Sequence, residues 1–120
     1  MAKESKGYDL EDRTAKFGEN IIKLCRTIKI DSIGSPVINQ LIRSSTSIGA
    51  NYMEANGASS KKDFRNKIFI CRKEAQETKH WLRMLVSCYP DRKEDIKILW
   101  QESHELTLIF GKISSSLKLS

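Results

Sequence analysis

The sequence predicts an all-α fold, an up-down-up-down, left-handed antiparallel four-helix bundle. Apolar residues recur at alternating steps of three and four along four stretches, and this period of about 3.5 residues is typical of helices that bury one seam and twist left-handedly. Short segments with Gly or Pro separate the stretches, so consecutive helices must pack antiparallel. A chain of 120 residues can bury one core but not two. We expect a flexible N-terminal tail over residues 1–8 and a single bundle domain over residues 9–120.

The first two helices are indicated by their seams and by signals at their ends. Ser35-Pro36 predicts the start of the second helix, because a serine cap followed by proline suits the first helical position. Asn56-Gly57 predicts its end. Between them lies a block of small residues, which predicts that a neighbouring backbone packs closely here. The seams comprise Leu10, Thr14, Phe17, Ile21, Leu24 and Ile28 in the first helix, and Ile38, Leu41, Ser45, Ile48, Tyr52 and Ala55 in the second.

The third and fourth helices have equally clear limits. Ser60 and Asp63 have the spacing of a capping box, which predicts a helix start near Ser60. Pro90 disfavours helical geometry at the residue before it and predicts the end of that helix, while Asp91 is expected to cap the next one. The seams comprise Phe64, Ile68, Cys71, Ala75, Thr78, Leu82 and Leu85 in the third helix, and Ile96, Leu99, Ser103, Leu106, Phe110, Ile113 and Leu117 in the fourth.

Composition excludes several classes of protein. Charged residues make up 30% of the chain, and no apolar run approaches the length of a membrane span. The N-terminus lacks the apolar core of a secretory signal, which predicts a cytoplasmic protein. Three cysteines without a C-x-x-C spacing argue against a disulfide framework or a zinc site. We expect reduced thiols, with Cys71 in the core.

The sequence offers no recognisable catalytic or metal-binding constellation. Glu77 and His80 match one half of the paired Glu-x-x-His motif of di-iron bundles, but His104 is preceded at that spacing by Gln101, and the seams contain no Glu. No Gly-rich phosphate loop or nucleophile motif is present. We therefore predict a protein that is not an enzyme and that needs no cofactor, metal or small-molecule substrate.

The positive signal is a basic ridge on the third helix. Residues 60–88 contain eight basic and three acidic residues, and this excess favours an anionic partner such as nucleic acid. Five of the basic residues, spaced by four, seven, seven and four, fall within about 40° of one another on a helix. The ridge consists of Lys61, Arg65, Arg72, Lys79 and Arg83. Alternatively, it is a solvated flank or pairs with acidic residues of another helix, such as Glu11, Asp12 and Glu19, and no aromatic residues interleave it in the sequence.

Some apolar side chains of the third and fourth helices fall outside the seams. Either the core stripe is wide, or these residues form a subunit interface, because large exposed apolar patches are rare on monomers. The candidate interface residues are Phe69, Ile70, Trp81, Met84 and Trp100.

Three blocks of the sequence resemble the family called four helix bundle proteins. They are residues 40–51, with their R-S-S-x-S-x-G-A-N pattern followed by Glu54, residues 60–64, and residues 71–75 followed by Trp81-Leu82. The resemblance spans about residues 9–118. The family includes proteins encoded in intervening sequences of bacterial large-subunit rRNA genes and is similar to the accessory variability determinant of diversity-generating retroelements. The resemblance implies a homopentamer with a basic surface that can contact nucleic acid, and it brings no catalytic residues.

These observations favour a non-enzymatic, oligomeric bundle that binds RNA or DNA backbone through the basic ridge, without sequence preference. Two alternatives remain open at this point. The chain is a protein-interaction scaffold with no nucleic-acid role, or it is an accessory protein of a diversity-generating retroelement.

Overall fold

The computed structural model describes residues 6–118, and the prediction of an all-α bundle with antiparallel neighbours is confirmed. The helices are α1 (Lys6–Arg26), α2 (Gly34–Asn56), α3 (Lys61–Cys88) and α4 (Lys93–Lys118), with one turn of 3₁₀ helix at Pro90–Arg92. Each helix packs on its neighbour in sequence, and α1 closes the bundle against α4. α1 begins inside the predicted tail, of which residues 1–5 lie outside the described part of the chain.

The four predicted seams form the core. Every seam residue of α1 and α2 is buried, including Ile28 just beyond the end of α1, and all but one in α3. Phe64 at the start of α3 is half-buried, as are Ile113 and Leu117 near the end of α4. Tyr52 and Phe110 meet across the diagonal of the bundle with ring centroids 5.9 Å apart. The core is therefore continuous from α2 to α4.

Helix ends follow the sequence signals at three places and differ at two. α2 ends at Asn56, α3 ends at Cys88 before Pro90, and the Ser60 hydroxyl accepts the backbone N–H of Asp63 at 3.0 Å. Asp91 does not cap α4 directly, because the 3₁₀ turn of Pro90–Arg92 intervenes.

The predicted cap at Ser35 is wrong. α2 begins at Gly34, two residues before the predicted first helical residue, Pro36, and the Gly34 N–H donates to the Asp31 carboxylate at 2.8 Å. This bond lowers the pKa of the Asp31 carboxyl. The Asp31 side chain caps this end of the helix in place of Ser35. Its carboxylate is on a short side chain and accepts the N–H three residues ahead, as an N-cap side chain does.

The small-residue block of α2 serves close packing on both sides. A Cβ atom at Gly49 would lie 3.3 Å from the Thr14 hydroxyl of α1. On the other side, the hydroxyls of Thr78 and Ser44 are hydrogen-bonded at 2.8 Å in the buried junction with α3. Buried hydroxyls need partners of this kind, so the serines contribute packing and hydrogen bonds and take no visible part in chemistry.

Two thiols lie in the core. Cys71 is fully buried, as predicted, and burial raises the pKa of its thiol to about 12. Burial also raises the pKa of Cys25. Among the described residues the three cysteines form no disulfide, and none of the described helices is long and apolar enough to cross a membrane.

Candidate nucleic-acid interface

The basic ridge follows α3 along its border with α4. Lys61, Arg65 and Arg83 are exposed, whereas Arg72 and Lys79 are half-buried. The two half-buried residues contact α4, as described below. The ridge is therefore exposed to solvent at its two ends, and its middle part packs into the α3–α4 junction.

No ridge residue pairs with a carboxylate within the described residues. The predicted alternative, pairing with Glu11, Asp12 or Glu19, is not formed among the described residues, because α1 and α3 lie on a diagonal of the bundle and their backbones do not come close to each other. The five positive charges of the ridge are left to solvent or to an anionic partner.

Two of the three acidic residues of α3, Glu74 and Glu77, are instead engaged at its opposite border, where it meets α2. Arg43 of α2 donates to Glu74 at 3.3 Å and also to Glu77. Glu77 accepts a further hydrogen bond from the Trp81 indole at 3.0 Å, and this bond, assisted by Arg43, lowers the pKa of its carboxyl. Helix α3 is thus divided by charge, with compensated residues facing α2 and uncompensated cations facing α4.

Arg72 lies directly against the backbone of α4. A Cβ atom at Gly111 would be 3.4 Å from Nε of Arg72 and 3.8 Å from its Cζ. The Nε atom is buried and has no hydrogen-bond partner among the described residues. Gly111 leaves the room that lets this guanidinium approach the helix, and an uncompensated buried donor of this kind is uncommon in folded proteins.

Lys79 lies beside two aromatic rings of α4. Its Nζ atom is 3.1 Å from Nδ1 of His104 and 5.3 Å from the centre of the Trp100 ring, within range of a cation–π interaction. The Trp100 and His104 rings are stacked, with centroids 5.2 Å apart and planes inclined by 12°. Because an ammonium group can only donate, Nδ1 of His104 accepts and its ring proton resides on Nε2.

The family of the chain is decided by comparison with known proteins. The family model described as "23S rRNA-intervening sequence protein" matches residues 8–112. The chain belongs to the 23S rRNA-intervening sequence protein family. It is also similar to a crystal structure, determined at 1.70 Å, of a protein with unknown function from the S23 ribosomal protein family of Bacteroides thetaiotaomicron VPI-5482. That match has a TM-score of 0.82 and 31% sequence identity and covers 92% of this chain and 99% of the other.

No curated protein matches the chain. Membership of the 23S rRNA-intervening sequence protein family confirms the resemblance seen in the sequence. The similar crystal structure carries the description "unknown function".

Several residues that carry the resemblance to the 23S rRNA-intervening sequence family form hydrogen bonds within α2 and between α2 and α3. Arg43 bonds Gln40 at 3.1 Å as well as the two carboxylates of α3, and Ser47 donates to the carbonyl of Arg43 at 2.7 Å. Asn51 donates in turn to the carbonyl of Ser47 at 2.9 Å. The block in α2 and Glu74 in the block of α3 are therefore two sides of one helix–helix junction.

The predicted interface residues do not lie in one patch. Phe69 is exposed to 57%, while Ile70, Trp81, Met84 and Trp100 are half-buried. Trp81 is bonded at the α2–α3 junction, whereas Trp100 lies at the α3–α4 junction. The wide-core explanation accounts for Trp81 and Trp100, which pack against the core cluster. The role of the other candidates in a subunit interface stays a prediction.

The position of aromatic side chains beside the basic ridge was not predicted from the sequence, which assigned Trp100 to a subunit interface, because these side chains come from a different helix. Trp100 and His104 are four residues apart, the spacing that places two side chains on one helix face. That spacing is visible in the sequence, but their position beside Lys79 depends on how far α4 is shifted along α3. The expectation that no aromatic residues interleave the ridge holds for α3 alone.

Glu77 and His80, which match one half of the di-iron motif in the sequence, make other contacts in the structure. Glu77 binds Arg43 and Trp81, and the exposed His80 packs edge-on against Trp81 with centroids 4.9 Å apart. No group of three His, Cys, Asp or Glu side chains within the described residues could hold a metal ion.

Proposed function

We propose that this member of the 23S rRNA-intervening sequence protein family is a non-enzymatic, oligomeric bundle that binds the phosphate backbone of RNA or DNA through the basic ridge. The observation that carries the proposal is the absence of any carboxylate partner for five aligned cations among the described residues. Like charges four residues apart repel by a few tenths of a kcal/mol. A phosphate backbone relieves this repulsion and releases its own counterions as it binds.

The test removes the charges without removing the side chains. In one variant, Gln replaces Arg65, Arg72, Lys79 and Arg83. A matched control loses the same charge from exposed positions of α1 and the loop after it, with Gln at Lys16, Lys23, Arg26 and Lys29. Binding to duplex DNA and to structured RNA is followed by fluorescence anisotropy.

The ridge variant should bind both nucleic acids more weakly, and its affinity should depend less steeply on salt, since each lost phosphate contact flattens the slope by about one unit. The control should keep a steeper salt dependence than the ridge variant. Equal losses in the two variants would mean that only net charge matters and would overturn the assignment to the ridge.

We further propose that the protein acts as a homopentamer, as its resemblance to the family implies. Light scattering at micromolar concentration should give the mass of five chains. A monomer at that concentration would remove the proposal.

A protein-interaction scaffold is the second candidate, and exposed apolar residues support it. Phe69, Ile98 and Leu108 on α3 and α4 are exposed to 57%, 71% and 59%. Apolar surface of this kind is used in protein interfaces when it is contiguous. If the ridge serves a protein partner or is masked by self-assembly, nucleic acid will fail to bind at any salt concentration, and the scaffold becomes the better explanation.

A further inference from the structure

We propose that the α3–α4 junction at Lys79, Trp100 and His104 binds an unpaired nucleotide, with its base stacked on the Trp100–His104 ring pair and its phosphate held by the neighbouring cations. The inference rests on the proposed function and narrows it, because it selects single-stranded nucleic acid over duplex.

The first step is the chemistry of the ring pair. Proteins that hold single strands combine a basic groove with aromatic side chains on which bases stack, and every base has a π-face suited to this. Trp100 and His104 are already parallel within 12°. Both remain half-buried rather than buried, so each keeps part of its surface in solvent. A base added to this pair extends an existing stack.

The second step is the position of the cations. Lys79 touches both rings, with Nζ 3.1 Å from Nδ1 of His104 and 5.3 Å from the Trp100 centroid. A phosphate bound by this ammonium would therefore lie beside a base stacked on the rings. His104 adds a donor, since Nε2 carries its proton when Nδ1 accepts from Lys79.

The third step is Arg72, which continues the same groove. It lies seven residues before Lys79, two helical turns or about 10 Å along α3. Its buried Nε atom has no hydrogen-bond partner in the part of the chain that the structure describes. The guanidinium fork recognises phosphate well, and Arg72 would take a phosphate farther along a strand whose base occupies the ring pair.

A duplex cannot use the ring pair in this way. Its bases are stacked on one another, and it offers the protein chiefly phosphates and groove edges. Unpaired nucleotides in loops, bulges and ends can turn a base toward an aromatic side chain. The ridge alone would bind the more densely charged duplex at least as tightly as a single strand, so a preference for unpaired nucleotides is the signature of the ring pair.

The chain provides an internal optical test, because it has two tryptophans at different junctions. Trp81→Phe leaves Trp100 as the only tryptophan, and Trp100→Phe leaves Trp81, which is bonded to Glu77 on the opposite border of α3. Each variant is titrated with a short single-stranded oligonucleotide, an abasic oligomer of equal length, and a duplex of equal total charge.

In Trp81→Phe, the base-bearing single strand should quench the fluorescence of Trp100, and the abasic oligomer and the duplex should not. In Trp100→Phe, none of the three should quench Trp81. Trp100→Ala should weaken binding of the single strand by about 5- to 150-fold and leave duplex binding unchanged. Circular dichroism checks that Trp100→Ala is folded. If it is not, the quenching of Trp100 fluorescence in Trp81→Phe decides whether a base stacks on the ring pair.

The outcomes separate this inference from the function on which it rests. Binding of duplex and single strand with equal affinity and without quenching of Trp100 would overturn the inference and leave the ridge proposal standing. The rings would then serve only to join α3 to α4. Failure of all three ligands to bind at low salt would overturn both and favour a protein partner.

Discussion

Among the glycines that the structure describes, Gly34 is the one at which an added Cβ atom would lie closest to another side chain. A Cβ atom there would lie 1.9 Å from the hydroxyl oxygen of Tyr89 and 2.4 Å from its Cζ. That hydroxyl donates to the Asp31 carboxylate at 3.2 Å and accepts from the Asp31 N–H at 3.3 Å. Tyr89, the residue that follows α3, is therefore packed on the residue that begins α2.

Replacing Gly34 with Ala should lower the free energy of unfolding by about 1–3 kcal/mol, the usual cost of forcing extra volume into a packed site. Gly57→Ala is the matched control, because its Cβ would meet only the Glu54 carbonyl oxygen at 3.8 Å and its φ of −98° suits any residue. Urea denaturation measures both variants. An equal effect at the two positions would contradict the packing of Tyr89.

Glu77 links the stability of the bundle to pH. Its hydrogen bond from Trp81 and its contact with Arg43 hold the pKa of the carboxyl below its usual 4.5. A carboxyl with a lowered pKa stabilises the folded state at pH values above the unfolded pKa. This stabilisation is lost as the pH falls through the lower, folded-state pKa.

Glu77→Gln should therefore lower the free energy of unfolding at pH 7, and the difference from wild type should shrink as the pH falls below about 4. Glu19→Gln, at an exposed position of α1, is the control for the loss of one negative charge. Chemical denaturation at pH 3 and pH 7 gives both differences. A deficit in Glu77→Gln that stays the same at both pH values would show that the carboxylate's ionisation contributes nothing.

At the scale of elements, α1 and α4 have the loosest junction of the bundle. A groove of about 560 Å³ runs between them, lined in part by Phe17 and Ile98. Arg13 bridges it with hydrogen bonds of 2.7 and 2.8 Å to Glu102 and one of 2.8 Å to Glu105. The Glu102 carboxylate raises the pKa of Arg13, which keeps the guanidinium charged.

Arg13→Met should lower the free energy of unfolding by about 0.2–1 kcal/mol, the range measured for exposed ion pairs, and should speed amide hydrogen exchange in α1 more than in α2 or α3. Arg26→Met, at an exposed position at the end of α1, should change neither. A uniform increase of exchange in all four helices would mean that the ion pairs stabilise the bundle as a whole.

The elements themselves were predictable because each seam is a local pattern. A run such as Ile38, Leu41, Ser45 and Ile48 specifies both a helix and its buried face. The start of α2 was not predictable from Ser35 and Pro36, since the choice of cap depends on how Asp31 folds back. The ridge could be placed on one face of α3 for the same local reason. The contact of the ridge with Trp100 and His104 could not be predicted, because it depends on how far α4 is shifted along α3, and this shift is set by tertiary packing.

At the scale of the whole molecule, the two junctions that α3 makes differ in charge. Arg43 satisfies Glu74 and Glu77 at the α2–α3 junction, and Lys67 binds Glu54 at 2.7 Å nearby. The α3–α4 border keeps its positive charges without carboxylate partners among the described residues. With a net charge of +6, the protein should attract polyanions most strongly along this border.

The most direct measurement is a salt titration of binding, by fluorescence anisotropy, of the purified protein to a structured rRNA fragment and to duplex DNA of equal charge. If the ridge contacts phosphates, the logarithm of the binding constant should fall linearly with the logarithm of salt concentration for both ligands. With up to five ridge cations engaged, the slope for duplex DNA should approach about −4 to −5. Absence of binding at low salt, or binding that does not change with salt, would contradict the account.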